Sequence, residues 1–580
     1  MRTALTQAAV LVALAFSTPL AAQDSADAQL AALTTEYGEY RKAQSEGGED
    51  EHLRRTLPSV TPETFEERAA FARQMLTALD AVDRAKLSDK ARIDAAVLRT
   101  MLEEQIGNAQ FREWEMPFDS DNNFWSYLAQ PFPLQSVEEY ERYIAQLRDI
   151  PRYFEEHKAN ARAGLKRGFS VPRVTLEGRE VSLESYVVDD PEKSRFWAAF
   201  SIMNPATIPL GEDLRLRAEG REAIEQAVIP AYRDLLDFFR NEYLPQTRTA
   251  LAASDLPDGE AYYAQQIRQY TTLDLTAEEI HQIGLDEVAR ITAEMEQVKA
   301  EAGFEGALPE FVAFLRSDPQ FVARTPDELM GVAAYAVKRV DDRLDDYFGF
   351  LPRYRHGLRP VDPAIAPFYT AGRGGLAYCQ MNTYDLPSRP LYNIPVLTLH
   401  ECTPGHSFQA AIALEQPEVA EFRRNVYFSG FGEGWGLYTE YLGEEMGIYR
   451  TPYERFGRLS YEMWRAVRLV IDTGIHRYGW SREQAVEYLA SRTALSEHEV
   501  GTEVDRYISW PGQALAYKLG EMMIREERAR AARELGARFD IRKFHDVVLS
   551  LGSVPLPAFK ERIDAFIADG GQGLEGVKYN

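Results

Sequence analysis

Cysteine is almost absent from this chain, with two residues, Cys379 and Cys402, among 580. That scarcity excludes a disulfide scaffold of the kind that holds small secreted domains together. A single bridge in an oxidising compartment and two buried free thiols both remain compatible with it. Long apolar runs are missing as well. Beyond the amino-terminal segment nothing approaches the ~20 apolar residues that a membrane-crossing helix needs, so stable membrane insertion is not expected. Positive charge is in deficit: 65 Lys and Arg face 90 Asp and Glu, a net charge of -25. This balance opposes binding to nucleic acid or to an anionic membrane surface. It favours solubility and a neutral or cationic partner, although surface charge does not fix the charge of a pocket. There is no internal repeat and no low-complexity tract. The glycines at 372, 374 and 375 do not form a phosphate-binding loop, because no GxxxxGK[ST] or GxGxxG pattern opening a helix accompanies them.

Met1-Arg2-Thr3-Ala4 leads into an apolar run that ends at Leu20, before the small-residue pair Ala21-Ala22. Residues 1–22 therefore read as a cleavable secretory signal. No cysteine follows the run, so lipidation at the cleavage site is not expected, and the mature protein is expected in the periplasm or secreted. The length corresponds to roughly three to four average domains, yet no flexible linker divides the chain. A soft boundary falls at the turn-rich Ala253-Ser254-Asp255-Leu256-Pro257-Asp258-Gly259. The expectation is an amino-terminal helical region, 23–255, forming a wall over a catalytic region, 256–580, in one interlocked body. Helical periodicity is widespread. Thr276 and Glu279 form a capping box before Ile280, Ile283, Val288, Ile291, Met295 and Val298, and residues 458–478 and 515–535 also read as helices. Alternating strand patterns are confined to 169–187 and to the stretch before residue 400. The fold class is accordingly mainly α, with a small β element beside the site.

Residues 400–409 read His-Glu-Cys-Thr-Pro-Gly-His-Ser-Phe-Gln. Neutral imidazoles bind a borderline-soft divalent metal, and a neighbouring carboxylate can move a proton between water and a leaving amine. The histidines are six apart rather than the four of the familiar zincin motif. Six residues turn an α-helix by about 600°, leaving His406 about 120° from His400, so an unbroken helix could not aim both at one metal. Pro404 would clash with the carbonyl of His400, four residues back, and so predicts a kink or bulge. The segment then reads as a distorted metal-binding helix with His400 and His406 as ligands and Glu401 as general base. The alternative is a helix end that carries two unrelated histidines.

Further on, Gly430-Phe431-Gly432-Glu433-Gly434-Trp435-Gly436 opens a predicted helix. A glutamate from a second helix would complete a two-histidine, one-glutamate set and leave a fourth zinc position open, as a catalytic site requires. Glu433 is preferred over Glu440 because its flanking glycines allow close backbone approach. Glu440 and Glu444 fit better as carboxylates supporting a ligand or lying on the surface.

These two motifs, with Asp472-Thr473-Gly474-Ile475-His476 and with Arg506-Tyr507 followed by Pro511-Gly512-Gln513-Ala514 and Tyr517-Lys518, resemble the bacterial domain-of-unknown-function family 885 over nearly all of the mature chain. The resemblance implies a mostly helical, zincin-like protein with a metallopeptidase site. Cys402 departs from the small or aliphatic residue expected there and adds a thiol near the metal.

The later motifs supply candidate partners for the metal centre. Asp472 and His476 are four apart and share a helix face, so Asp472 could orient the imidazole while His476 donates to an oxyanion or the substrate. An ordinary buried polar pair is the alternative. Tyr517 could polarise a scissile carbonyl, and Arg506, Tyr507 and Lys518 could bind substrate, a guanidinium or ammonium holding a peptide carboxylate. The glycine- and aromatic-rich segment 368–382, which includes Tyr369, suits an edge strand against which an extended substrate lies. Together these residues lead to the expectation of one Zn2+ per chain and hydrolysis of peptide bonds, most plainly in short peptides. A metal-dependent hydrolase or lyase of a small non-peptide amide or ester, and a binding protein on a peptidase scaffold, are the competing classes.

Overall fold

The structure is a computed structural model and describes residues 25–44, 55–120, 123–130, 133–363, 366, 370–415, 419–495 and 497–579. The expected signal segment 1–22 and Tyr369 lie outside the described residues.

The capping box at Thr276 is present. The Thr276 hydroxyl accepts from the Glu279 N–H at 3.2 Å, and the Glu279 carboxylate accepts from the Thr276 N–H at 2.8 Å. The helix it starts, Ala277–Glu301, buries Val288, Ile291, Met295 and Val298 against Val467, Val470 and Ile471 of the helix Pro452–His476. Each aliphatic side chain fully withdrawn from water contributes roughly 1.5–3 kcal/mol, which makes this pairing a main axis of the molecule. Pro452–His476 begins at the Thr451 cap, and from Phe456 to His476 every residue except Trp464 is buried. A helix covered all round occupies the centre of a fold. Its charges are therefore matched in place: Glu462 by Arg458 and Lys518, and Arg468 by Glu503.

The architecture is mainly α, with one three-stranded sheet of order β1-β3-β2. Strand β1 (Gly357–Pro360) runs parallel to the central β3 (Tyr378–Met381), and β2 (Gly372–Arg373) pairs antiparallel with its other side, Gly372 opposite Met381. The glycine-rich segment thus supplies both an edge strand and the middle of the sheet. The strands expected within 169–187 do not form. That stretch holds a 3-10 turn at Arg173–Thr175 and a short helix at Glu180–Glu184. Turn bonds such as Leu176 N–H to Arg173 C=O and Tyr186 N–H to Leu183 C=O take the groups that a ladder would have used. Pro172 and the left-handed Gly178 favour this outcome.

The turn near residue 255 does not separate cores. The largest core joins Tyr37, Leu98 and Leu102 to Trp435, Leu535 and Phe566, and another joins Phe111 and Phe169 to Leu469 and Leu515. Residues 118–243 also hold an aromatic core of their own, including Phe118, Trp125, Tyr140 and Tyr232. Among the described residues no helix is long and apolar enough to cross a membrane.

Candidate metal centre

His400 and His406 lie on two helices rather than on one bent helix. The first, Ile394–Glu401, ends just after His400, and the second, His406–Glu415, begins at His406. Residues 402–405 form the break, with a cis peptide between Thr403 and Pro404. A full interruption resolves the 120° mismatch more completely than a kink, because the second helix sets its own direction. Gly405 is required by space: a Cβ there would stand 1.8 Å from the His400 carbonyl oxygen. Phe408 N–H reaches back to Cys402 C=O across the break, and Trp435 Nε1 donates to Pro404 C=O at 2.9 Å.

Trp435 belongs to the helix Ser429–Glu445, which also carries Glu433 and Glu440. Gly436 lets this helix lie directly against the first imidazole, since a Cβ at 436 would meet the His400 ring at 2.7 Å. Glu433 Oε2 then sits 3.5 Å from His400 Nε2 and 3.3 Å from His406 Nε2. One ligand atom from each of the three residues falls within 4.8 Å of the others, and the imidazole planes stand at 89°. On its far side His400 Nδ1 is 2.8 Å from Glu440 Oε1. A carboxylate only accepts, so Nδ1 carries the hydrogen and the Nε2 lone pair is the one directed at Glu433 and His406.

The electrostatics of the cluster favour a positive charge at its centre. Burial opposes protonation of His400, but the carboxylates of Glu433 and Glu440 outweigh it and raise its pKa. Burial alone would raise Glu433 too, yet His406 and His400 hold it well below the usual carboxylate range. His400 is 3% exposed, while His406 and Glu433 keep 18% and 17%, so the cluster is closed behind and open on one side. Two imidazoles and a carboxylate with this convergence suit a tetrahedral zinc site with one position left for water or substrate.

Glu401, next to His400, faces the segment that follows β2. Its Oε2 accepts from Gly374 N–H at 2.6 Å, and Oε1 has no hydrogen bond among the described residues. Ser407 joins the same segment to the motif, accepting from Gly375 N–H and donating to Glu401 C=O, each at 3.0 Å. Cys379 of β3 and Cys402 are disulfide-bonded, Cα to Cα 5.4 Å, so the sheet is covalently tied to the break between the two histidines.

The sequence of residues 35–563 matches a family described as bacterial protein of unknown function (DUF885). The chain belongs to this family. No curated protein matches it. Among solved structures, one described as "the putative lipoprotein from Colwellia psychrerythraea" is similar at a TM-score of 0.84 and 26% identity, over 94% of this chain and 100% of that one. Another, described as "a putative lipoprotein of unknown function from Shewanella oneidensis", gives a TM-score of 0.67 at 16% identity over 92% of this chain and 98% of that one, a likeness of fold.

The residues expected from the later motifs separate into two groups. Tyr517 lies on a helix that packs against the one carrying Glu433. The Glu433 helix and the helix Ala516–Leu535 cross in backbone contact: a Cβ at Gly434 would lie 2.6 Å from the Gly520 carbonyl carbon, and Tyr517 is one turn before Gly520. Arg506 is next to it, with Nη2 3.5 Å from the Tyr517 hydroxyl and 3.0 Å from Gln513 Oε1.

The others do not serve as expected. His476 is fully buried, its Nδ1 accepting from Ala253 N–H at 3.0 Å and its Nε2 donating to Tyr507 C=O at 2.9 Å. With both nitrogens spent on backbone, it has no N–H for an oxyanion. Asp472 does not orient it. That carboxylate accepts instead from the Tyr263 hydroxyl at 2.6 Å and from Gly512 N–H. Lys518 is wholly enclosed by Glu287, Glu462 and Glu521, all at 2.8–2.9 Å, so no substrate reaches it. The Tyr507 hydroxyl, buried, accepts from Trp464 Nε1 and Arg468 Nε. These four residues fasten the central helix to its neighbours.

Tyr427 was not foreseen. Its hydroxyl donates to Glu433 Oε1 at 3.0 Å although the side chain as a whole is 55% exposed. The lodging of that hydroxyl end, and after it the charge of Glu433, pushes its ionisation well above the usual tyrosine value, so it remains a donor. Nothing in periodicity or spacing singles out a tyrosine six residues before Glu433, on a segment outside the helix. The Gly374 amide that holds Glu401 is equally invisible, because a backbone donor leaves no mark on residue type.

Proposed function

We propose that the chain is an exported zinc-dependent hydrolase of peptide bonds, acting on short peptides. The observation that carries this reading is the convergence of His400 Nε2, His406 Nε2 and Glu433 Oε2 within 4.8 Å, on the open side of a buried cluster. Glu401, a carboxylate with one oxygen free of hydrogen bonds among the described residues, lies in the same motif. Zinc held by those three side chains would supply Lewis-acid chemistry and bring the pKa of water bound there down toward about 7. The residues present fit that ion in number, in donor type and in having Glu440 behind the first imidazole.

The remaining roles belong to the chain's own groups. Glu401 is steadied by the Gly374 amide at one oxygen, and the other accepts the proton of the attacking water and returns it to the departing amine nitrogen. Tyr517, whose hydroxyl accepts from Arg506 and keeps its own hydrogen to give, would steady negative charge on the carbonyl oxygen under attack, while Tyr427 spends its hydrogen on Glu433. The edge strand β2 runs into Gly374, so an extended peptide paired with it would pass Glu401. Export is supported by the apolar amino terminus, by the Cys379–Cys402 bridge, which suits an oxidising compartment, and by the descriptions of the similar structures as lipoproteins.

The test is elemental analysis of the purified mature protein alongside His400→Ala, His406→Ala and Glu433→Ala. About one zinc per chain, lost in all three variants, is the expected result. Full metal content in His406→Ala, or no metal under any loading condition, would remove the reading.

A further inference from the structure

Arg465, Arg468, Arg506 and Lys518 lie on the central helix and on the helices that pack against it, and three of the four are spent. Arg465 is 5% exposed and stands 3.4 Å from Glu440; Lys518 is 0% exposed and held by three carboxylates. Arg468 is 3% exposed and bound to Glu503 at 2.8 Å and to the Tyr507 hydroxyl at 2.9 Å. Arg506 differs. Its side chain is 23% exposed, and Nη1 lies 3.7 Å from Glu503 Oε1, beyond hydrogen-bond reach. Among the described residues only Nη2 is hydrogen-bonded, to the neutral Gln513 and Tyr517 oxygens.

The charges do not balance at this point. Among the described residues Glu503 is the one carboxylate within 4.0 Å of either Arg468 or Arg506, and its better contact is with Arg468. Arg468 Nη1 and Arg506 Nε are both buried without a hydrogen-bond partner among the described residues. Both guanidiniums contact Tyr517, Arg468 over its ring at 4.5 Å and Arg506 at its hydroxyl. Among the described residues a surplus, partly exposed cation therefore sits at Tyr517, on the helix that crosses the Glu433 helix at Gly434 and Gly520. Half-buried guanidinium of this kind is matched best by a carboxylate, which takes two of its N–H groups at once. The chain's net charge of -25 would suggest the opposite preference, but it reports the whole surface and not this corner.

We propose that Arg506 anchors a carboxylate of the substrate, so that the site selects peptides presenting a free carboxyl end or an acidic side chain to it. The inference rests on the peptide-hydrolase reading for its substrate class. The Tyr517 hydroxyl, 3.5 Å from Nη2, and the Trp510 ring, 5.7 Å from the guanidinium carbon, flank Arg506. Arg506 touches substrate in this scheme and takes no part in moving protons.

Binding rather than turnover tests it. Zinc-treated Glu401→Gln protein is titrated calorimetrically with a set of tripeptides in three forms: free acid, carboxyl amide, and amide carrying an aspartate side chain. The free acid is expected to bind about tenfold or more tightly than the amide, the size of a charged hydrogen bond. Arg506→Gln should abolish that difference, and Arg506→Lys should restore part of it, which separates a lost charge from a damaged fold. Recovery of affinity in the aspartate form would identify a side chain as the carboxylate used; no recovery would identify the chain end. Equal binding of acid and amide, no binding of any form, or a difference that survives Arg506→Gln overturns the proposal. Zinc measured in the same samples keeps the two ideas apart. Metal without carboxylate preference defeats this inference alone, and an Arg506-dependent preference without metal defeats the zinc reading alone.

Discussion

Two polar clusters built from the same residue types lie in the carboxyl-terminal half of this molecule, and they have opposite character. Around Asp472 and His476 every polar atom faces a fixed partner: Tyr263, Gly512, Ala253 and the Tyr507 carbonyl. Around His400, His406 and Glu433 three potential ligand atoms face one another, and Glu401 keeps an oxygen without a hydrogen bond among the described residues. Buried polar groups are normally satisfied, so the first cluster is what structure alone demands. The second leaves bonding capacity unspent beside solvent, which folding does not reward. Unspent capacity, rather than the presence of histidine and carboxylate, distinguishes a candidate centre from a well-made core.

The contrast is broken most strongly at Glu401. Glu401→Gln keeps the size of the side chain and an oxygen for the Gly374 amide, but cannot take a proton. Turnover of a peptide substrate should fall by about 10²–10⁴-fold, the worth of a positioned general base, while zinc content stays at the wild-type level. Hydrolysis close to the wild-type rate would show that the free oxygen is incidental.

How far the sequence carries a reader depends on the range of the forces involved. The capping box at Thr276 and the apolar spacing of the helix it starts are local, and both are found where the pattern places them. That His400, His406 and Glu433 come together is legible because Pro404-Gly405 forces a break and the glycines around Glu433 permit close approach, two consequences of backbone sterics. His476 and Lys518 misled for the complementary reason. Spacing along a helix says which face a side chain shares and nothing about what arrives from elsewhere in the chain. His476 meets the Ala253 amide, 223 positions earlier, and Lys518 meets Glu287 from another helix. The failed strands at 169–187 illustrate the same limit: alternation proposes a strand, but a strand needs a neighbour to bond with, and here the local turns were the better partners.

The satisfied cluster makes its own, intermediate-sized prediction. Burial drops the His476 pKa to about 3, against the pull of the Tyr507 carbonyl, and burial pushes Asp472 up to about 7 in spite of its bonds to Tyr263 and Gly512. The signs are opposed. For His476 the unfolded chain takes up a proton below about 6.5 and the native state does not, so its contribution is fully present above that pH and is lost as pH falls toward 3. For Asp472 the native state holds its proton more tightly than the unfolded chain, so stability is gained as pH falls from 7 toward about 4. In urea unfolding, the excess stability of wild type over His476→Gln should therefore shrink between pH 7 and 4, and the excess over Asp472→Asn should grow. Each change is on the order of a few kcal/mol. Two pH-independent differences would mean that neither group changes its proton affinity on folding.

The smallest expected effect falls where the two kinds of cluster meet. Glu440 is buried like the members of the structural cluster, yet its Oε1 holds His400 Nδ1 and its Oε2 has no hydrogen-bond partner among the described residues. Arg465, 3.4 Å away, is its counter-charge. If the carboxylate serves only to satisfy Nδ1–H, Glu440→Gln should cost nothing at the metal, because an amide oxygen accepts the same hydrogen. If instead its charge raises the electron density that His400 offers at Nε2, the amide should weaken zinc binding by about 10–100-fold in a chelator competition, with the fold intact. Glu440→Asp, charged but one methylene shorter, loses reach and keeps charge, so a stronger loss there than in Glu440→Gln would assign the effect to geometry. The order Asp better than Gln would assign it to charge, and equal affinity in all three proteins would move Glu440 to the satisfied side of the comparison.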